Sequence, residues 1–143
     1  MKGSSICLEI TERQFLQPSK VNDKYLNRYR NLGVSFAMDD FGSGYSNLSY
    51  LLDKPFDTLK IDRSFISRIG DIKKSEEVVK ATINIAKALD LKTVAEGIET
   101  QEQLDFVLSH GCDFVQGFYL QVPAPIEELT HLLSEDADVL PEE

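Results

Sequence analysis

Cysteine is scarce in this 143-residue chain: Cys7 and Cys112 are the only two. Their isolation argues against a disulfide framework or a cysteine-held metal, and their apolar surroundings read as buried free thiols in a reducing compartment. Histidine is as rare. His110 ends and His131 falls on a predicted helix, with no partner at ligand spacing, and no histidine lies in the motifs around Ser46 to make it a nucleophile. Positive charge is also short, with 15 basic residues against 24 acidic ones and a net charge of −9. A general nucleic-acid binder carries a basic face, so a DNA or RNA polymer is not the expected partner. No apolar run approaches the ~20 residues of a membrane helix. No signal-peptide pattern precedes Ile6, and the expectation is a soluble cytoplasmic protein without direct membrane contact. Internal repeats and low-complexity linkers are missing too, which leaves one domain large enough for a real core.

The most informative stretch runs from Asp39 to Leu48, Asp-Asp-Phe-Gly-Ser-Gly-Tyr-Ser-Asn-Leu. An apolar run, Val34 to Met38, ends in two adjacent carboxylates. Gly42 and Gly44 then permit backbone angles closed to other residues, and Ser46 is a helix-capping type. Two like charges side by side repel and call for a positive partner. A hard divalent cation suits carboxylate oxygens. The plain alternative is a solvated acidic turn.

Around this stretch the chain alternates strand and helix. Strands are predicted at Ile6–Ile10, Val34–Asp39, Thr58–Asp62, Lys92–Glu96 and Phe114–Phe118. Helices are predicted at Pro18–Leu32, Asn47–Leu52, Ser75–Leu89, Thr100–Ser109 and Pro125–Leu133, with residues 63–69 turning away after the third strand. Val79, Ile83, Ala86 and Leu89 form one stripe, and Thr100 with Gln103 reads as a capping box closed by Gly111. Residues 1–5 read as a leader and 134–143 as an acidic, frayed tail.

Such alternation means parallel strands joined by crossover helices. The strand ends carry Glu9, Asp39, Asp40, Lys60, Glu96 and Gln116. In parallel α/β folds ligands bind at the carboxyl ends of strands. Length favours a doubly wound sheet of receiver type over a complete (β/α)8 barrel of roughly 250 residues. Residue order speaks against the receiver, whose acidic pair belongs on the first strand.

Together these residues resemble the EAL domain, the bacterial cyclic-di-GMP phosphodiesterase family. The similar segments are Glu9-Ile10-Thr11-Glu12, Asp39 to Leu51, Leu59 to Ile66, Ala95 to Thr100 and Gln116-Gly117-Phe118, in family order across residues 6 to 126. The resemblance implies an α/β fold, a partial (β/α)8 barrel made of about the last five βα units, with residues 6–133 as a partial EAL domain. The name-giving Glu-Ala-Leu strand and an asparagine ligand lie upstream in the family and have no counterpart here.

The resemblance further implies metal-dependent hydrolysis of cyclic-di-GMP to the linear dinucleotide in second-messenger signalling. Two Mg²⁺ or Mn²⁺ ions about 3.5–4 Å apart would serve such chemistry. It assigns Glu9, Asp39, Asp40 and Glu96 to the metals, Lys60 to the water or phosphate, and Glu96 to base catalysis. Glu99 and Gln116 would tune water and metal from behind, and Glu12 would tether the Gly42–Gly44 loop.

Blander readings stand beside these assignments. Glu12 and Glu99 could cap helix starts, Lys60 could snorkel from a core edge, and Gln116 could satisfy backbone groups. With upstream ligands missing, this chain alone is expected to be inactive. A non-catalytic cyclic-di-GMP-binding or dimerising module is the alternative, and a receiver-like phosphoacceptor a weaker one. Strands cut from a barrel leave open edges at Ile6–Ile10 and Phe114–Phe118. They also leave an open inner face, expected to carry Leu8, Phe36, Ile61, Val94 and Val115. Such edges recruit a second copy or the missing amino-terminal half of the domain.

Overall fold

The computed structural model describes residues 6–11, 23–42, 51–52 and 55–127 of the chain. Glu12, Gly44, Ser46, the leader, the tail and most of the helices predicted at 47–52 and 125–133 lie outside them; Leu51, Leu52, Ile126 and Glu127 are helical. Five strands form one sheet: β1 (Cys7–Thr11), β2 (Ser35–Phe41), β3 (Thr58–Ile61), β4 (Lys92–Glu96) and β5 (Phe114–Gln116). The helices are α1 (Asp23–Asn31), α2 (Arg63–Ile66), α3 (Lys73–Ala88) and α4 (Gln101–Ser109). No helix among the described residues is long and apolar enough to cross a membrane.

Every strand pair is parallel, and the spatial order is β1-β2-β3-β4-β5. A doubly wound sheet must reverse its order at a switch point. This sheet adds each strand on the same side, as a barrel wall does, so length alone pointed the wrong way. The receiver-like alternative falls with it. Among the described residues β1 and β5 each have one strand neighbour, and the sheet is an arc of a (β/α)8-type barrel.

Alternation along the strands sorts side chains between two faces. Phe36, Met38, Leu59, Ile61 and Ala95 join Val79, Ile83 and Ala86 of α3 in the core, and Ile10 and Val115 pack against it. Cys7, Glu9, Ala37, Asp39, Lys60, Val94, Glu96, Phe114 and Gln116 therefore share the other, inner face. Of the five residues expected there, only Val94 is present. Phe36, Ile61, Val115 and Leu8, in phase with Ile10, face the helices; the apolar layer there buries Phe36 and Ile61 and partly Val115, while Leu8 stays 38% exposed. Cys7 is exposed on the inner face, contrary to expectation, while Cys112 is buried.

Local chemistry accounts for the element ends. Thr100 caps α4 by accepting from Gln103 N, and the Gln103 side chain accepts from Thr100 N, completing the capping box. Helix α3 begins two residues before Ser75, without a side-chain cap; Ser75 is instead buried inside its first turn. Two aspartates that immediately precede strands lock the amino ends of the sheet in the same way. Asp57 accepts from Phe36 N at 2.9 Å and pairs with Arg30 at 3.3 Å. Asp113 accepts from Thr93 N at 2.9 Å and Oγ1 at 3.0 Å, and pairs with Lys92 at 2.7 Å.

The Lys92 hydrogen bond holds the Asp113 carboxyl below its ordinary range, and the Thr93 donors help against the opposing effect of burial. A depressed carboxylate contributes stability that is present above its unfolded value and lost as pH falls through the folded one. Asp113→Asn is expected to cost roughly 1–2 kcal/mol near neutrality and to weaken the acid-side loss of stability below about pH 4. Urea denaturation across pH measures both. At the other end of the sheet, Ile98 N donates to Gln116 O at 3.1 Å, and Tyr119 N donates to Ile98 O at 3.0 Å. A Cβ on Gly117 would stand 2.1 Å from Ile98 O. Gly117→Ala is expected to lose at least 1–3 kcal/mol, roughly, by forcing these backbones apart, which thermal denaturation will read directly.

Candidate active site

Lys60 stands mid-strand on β3, with Leu59 and Ile61 anchored on the opposite face in the core. Its side chain therefore emerges on the inner face, where it is only 6% exposed. A buried ammonium needs partners, and neighbouring strands supply them: Glu9 of β1 at 2.8 Å, Asp39 of β2 at 3.4 Å and Glu96 of β4 at 2.6 Å. Burial works against the ammonium most strongly. Hydrogen bonds to Glu9 and Glu96, with the charges of Glu96 and Asp39, outweigh it and hold the Lys60 pKa well above the ordinary lysine value. Lys60 is thus a fixed cation, and snorkelling from a core edge does not describe it.

Adjacent residues in a regular strand point to opposite faces, so Asp39 and Asp40 cannot both reach the site without a distortion. The structure has one. The β2–β3 register slips between Met38 and Phe41, and Asp40 has a φ of 57°. Aspartate tolerates this left-handed region better than most residues, and Asp40 N donates to Asp39 Oδ1 at 3.0 Å. The bulge gathers the two carboxylates with Glu96, and one oxygen from each lies within 4.8 Å of the others. Gly42 follows at φ +93°, against the Phe65 ring.

Crowded negative charge leaves its mark on these groups. Burial, then the charges of Asp39 and Asp62 and a hydrogen bond with Asp62, hold the Asp40 carboxyl above its usual range, although Lys60 opposes this. Burial also raises Glu96, with Lys60 pulling down and Asp39 and Glu9 pushing up. An all-oxygen donor set with excess negative charge fits a hard divalent cation. Asp39, Asp40 and Glu96 form the candidate cation cluster. Glu9 is turned to Lys60 and does not belong to that trio.

Glu99 and Gln116 stand beside the cluster. Glu99 pairs with Arg63 at 2.5 Å, so its side chain is not the helix cap that the sequence also allowed. Gln116 is level with Glu96 in the β4–β5 register. Both line a cavity of about 210 Å³ next to Glu96. Sequence reasoning passed over Asp62 and Arg63. Asp62 caps α2 by accepting from Ser64 N at 2.8 Å and also acts on Asp40. Its position two residues past Lys60, on the same strand face, was the available signal.

Replacing Lys60 with Met strands its carboxylate partners and is expected to lower stability by roughly 3 kcal/mol, as for a broken buried ion pair. Glu9→Gln should cost under about 1 kcal/mol, because the Glu9 side chain is 53% exposed. Urea unfolding without divalent ions compares the two. The sign for Asp40 and Glu96 is opposite to that for Asp113. Their raised values mean that stability from these groups is full below the ordinary carboxylate range and is lost as pH rises through the folded values. Asp40→Asn should therefore make the fall in stability above about pH 4 shallower.

A family model for the EAL domain matches residues 2–123. NbdA, a cyclic di-GMP phosphodiesterase of Pseudomonas aeruginosa, is 44% identical over 126 residues, which are 88% of this chain and 16% of NbdA. The solved PaMucR phosphodiesterase in complex with c-di-GMP is similar with a TM-score of 0.85 and 38% identity, over 90% of this chain and 52% of that one. BlrP1 of Klebsiella pneumoniae, solved with manganese and c-di-GMP, gives a TM-score of 0.76 at 30% identity, over 83% and 30% of the two chains. The chain spans between 16% and 22% of the length of the first three curated relatives.

Proposed function

This chain belongs to the EAL domain family, and from that premise we propose that it carries the lysine-and-carboxylate part of a cyclic-di-GMP phosphodiesterase site. The observation behind this reading is the convergence of Asp39, Asp40 and Glu96 on one small volume, directly beside the fixed ammonium of Lys60. Asp39, Asp40 and Glu96 would hold Mg²⁺ or Mn²⁺, and Glu9 would join them once turned from Lys60. Bound divalent metal supplies charge neutralisation at the phosphate and activation of water.

The chain's own residues set the remaining conditions. Lys60, held among its carboxylate partners, acts by charge and orientation on the phosphate or the attacking water. Glu96, 2.6 Å from Lys60 and in the carboxylate cluster, is the candidate to accept a proton from the attacking water. Glu99 and Gln116 orient polar groups at the edge of the site. Glu12 and the Gly42–Gly44 loop are proposed to couple the site to ligand and subunit contacts. The domain reading places the family segment at residues 6–133, and Cys7 and Cys112, both free thiols, suit the cytoplasm.

Calorimetric titration with Mn²⁺ or Mg²⁺ tests the metal reading. Combined Asp39→Asn and Asp40→Asn substitution should weaken binding at least tenfold, roughly, since even indirect partners of ligands reach that; unchanged affinity sinks the site. The 143 residues alone should convert no cyclic-di-GMP to the linear dinucleotide, because the upstream Glu-Ala-Leu motif of the family does not occur in them. Conversion that Glu96→Gln abolishes would show the site to be sufficient by itself.

The inner face also bears on assembly. Phe114 is 56% exposed there, and among the described residues β1 and β5 each have one strand neighbour, as edge strands do. We propose that a second copy covers them by two-fold pairing, the amino-terminal half of the barrel being the competing occupant. Sedimentation at low micromolar concentration should show a species larger than a monomer. A monomer that unfolds cooperatively would overturn the open-barrel account.

A further inference from the structure

The bulge that turns Asp40 into the site needs an anchor. Met38 pairs with Leu59 and Phe41 with Ile61, so Asp39 and Asp40 together stand against Lys60 alone. Asp40 lies in the left-handed region at φ 57°, and Gly42 follows there at +93°. A backbone in this state persists only where its surroundings enforce it. The bond from Asp40 N to Asp39 Oδ1 joins the two acids to each other and does not tie them to the fold. We propose that Phe65 is the anchor, a positioning residue whose ring braces Gly42 and thereby holds the paired aspartates in line with Glu96. The inference rests on the metal reading above and extends it to a side chain with no oxygen to offer.

Contact is the first argument. A Cβ on Gly42 would stand 3.1 Å from Phe65 Cε2 and 3.3 Å from its Cζ, so the ring edge already lies against the glycine backbone. Glycine alone adopts this φ without strain and leaves room for the ring. Phe41, one residue earlier, is 6% exposed in the core. The chain leaving the bulge is thus gripped on two sides, by the core at Phe41 and by α2 at Gly42.

Rigidity of the brace is the second. Helix α2 is short, yet each of its ends is fixed. Asp62 caps it by accepting from Ser64 N at 2.8 Å, and Phe65 N donates to Asp62 O at 3.1 Å. Ile66, next to Phe65, is fully buried. Arg63 reaches the other way, and its stem crosses Gly97 so closely that a Cβ there would stand 2.3 Å from Arg63 Cγ. Gly97 directly follows Glu96. One helix therefore rests against the backbone beyond Asp40 and the backbone beyond Glu96, and it fixes the separation of the two arms of the cluster.

Placement distinguishes this role from ordinary packing. Ile66 takes the buried position on α2, while Phe65 is only partly buried at the rim of the core. Leucine would still cover that rim. It lacks the Cε and Cζ atoms, and those are the atoms that meet Gly42.

The Mn²⁺ affinity of the 143-residue chain, read from the electron paramagnetic resonance of the free ion, tests the brace. Phe65→Leu should weaken Mn²⁺ at least tenfold, roughly, as loss of indirect support for metal ligands does. Val79→Ala, a truncation in the core on α3, is the stability control; it should lower the midpoint of thermal unfolding and leave Mn²⁺ affinity unchanged. Gly42→Ala should weaken Mn²⁺ as well, and the double variant should lose no more than the worse single one, because both break the same contact. Wild-type affinity in Phe65→Leu, an equal loss in Val79→Ala, or additive losses in the double variant would each overturn the brace and leave the metal reading standing. Absence of Mn²⁺ binding by the wild-type chain overturns both.

Discussion

A single buried ammonium organises the open face of this sheet. Lys60 gathers acids from β1, β2 and β4, strands whose side chains would otherwise repel one another across the arc. Its partners also prevent the loss of charge that burial would impose. The geometry follows from packing: Leu59 and Ile61 lie in the core on one side of β3, so Lys60 must stand on the other. The apolar layer against α3 is what puts a cation among the carboxylates.

The acidic trio is held differently. Asp39 and Asp40 share a site only because the backbone leaves the regular strand path, with a register slip and a left-handed aspartate. Strain of this kind persists where surrounding structure enforces it, and it clusters at functional sites. The raised carboxyls of Asp40 and Glu96 belong to the same arrangement. Charge is concentrated there beyond what Lys60 neutralises, which costs stability and favours a divalent partner.

The wall beyond Glu96 has another character. Arg63, Glu99 and Phe118 come from α2 and from the turns after β4 and β5, and they surround a small cavity whose charges partly cancel. The carboxylate cluster and this cavity share one residue, Glu96.

Much of this was legible in the residues. The five strands, the capping box at Thr100 and Gln103, and the acids and lysine at the strand ends are local features. They follow from periodicity, turn chemistry and motif order, which need no knowledge of what packs where. The tertiary structure alone decided the rest. Strand order depends on long-range pairing, so it took the arc to set aside a doubly wound sheet. Facing depends on which side the helices cover, so Phe36, Ile61 and Val115 turned outward against expectation and Cys7 lay exposed. Partner choice depends on distance in space. Glu9 went to Lys60, Glu99 to Arg63, and Asp62 to Asp40, because side chains far apart in sequence compete for the same few ångströms.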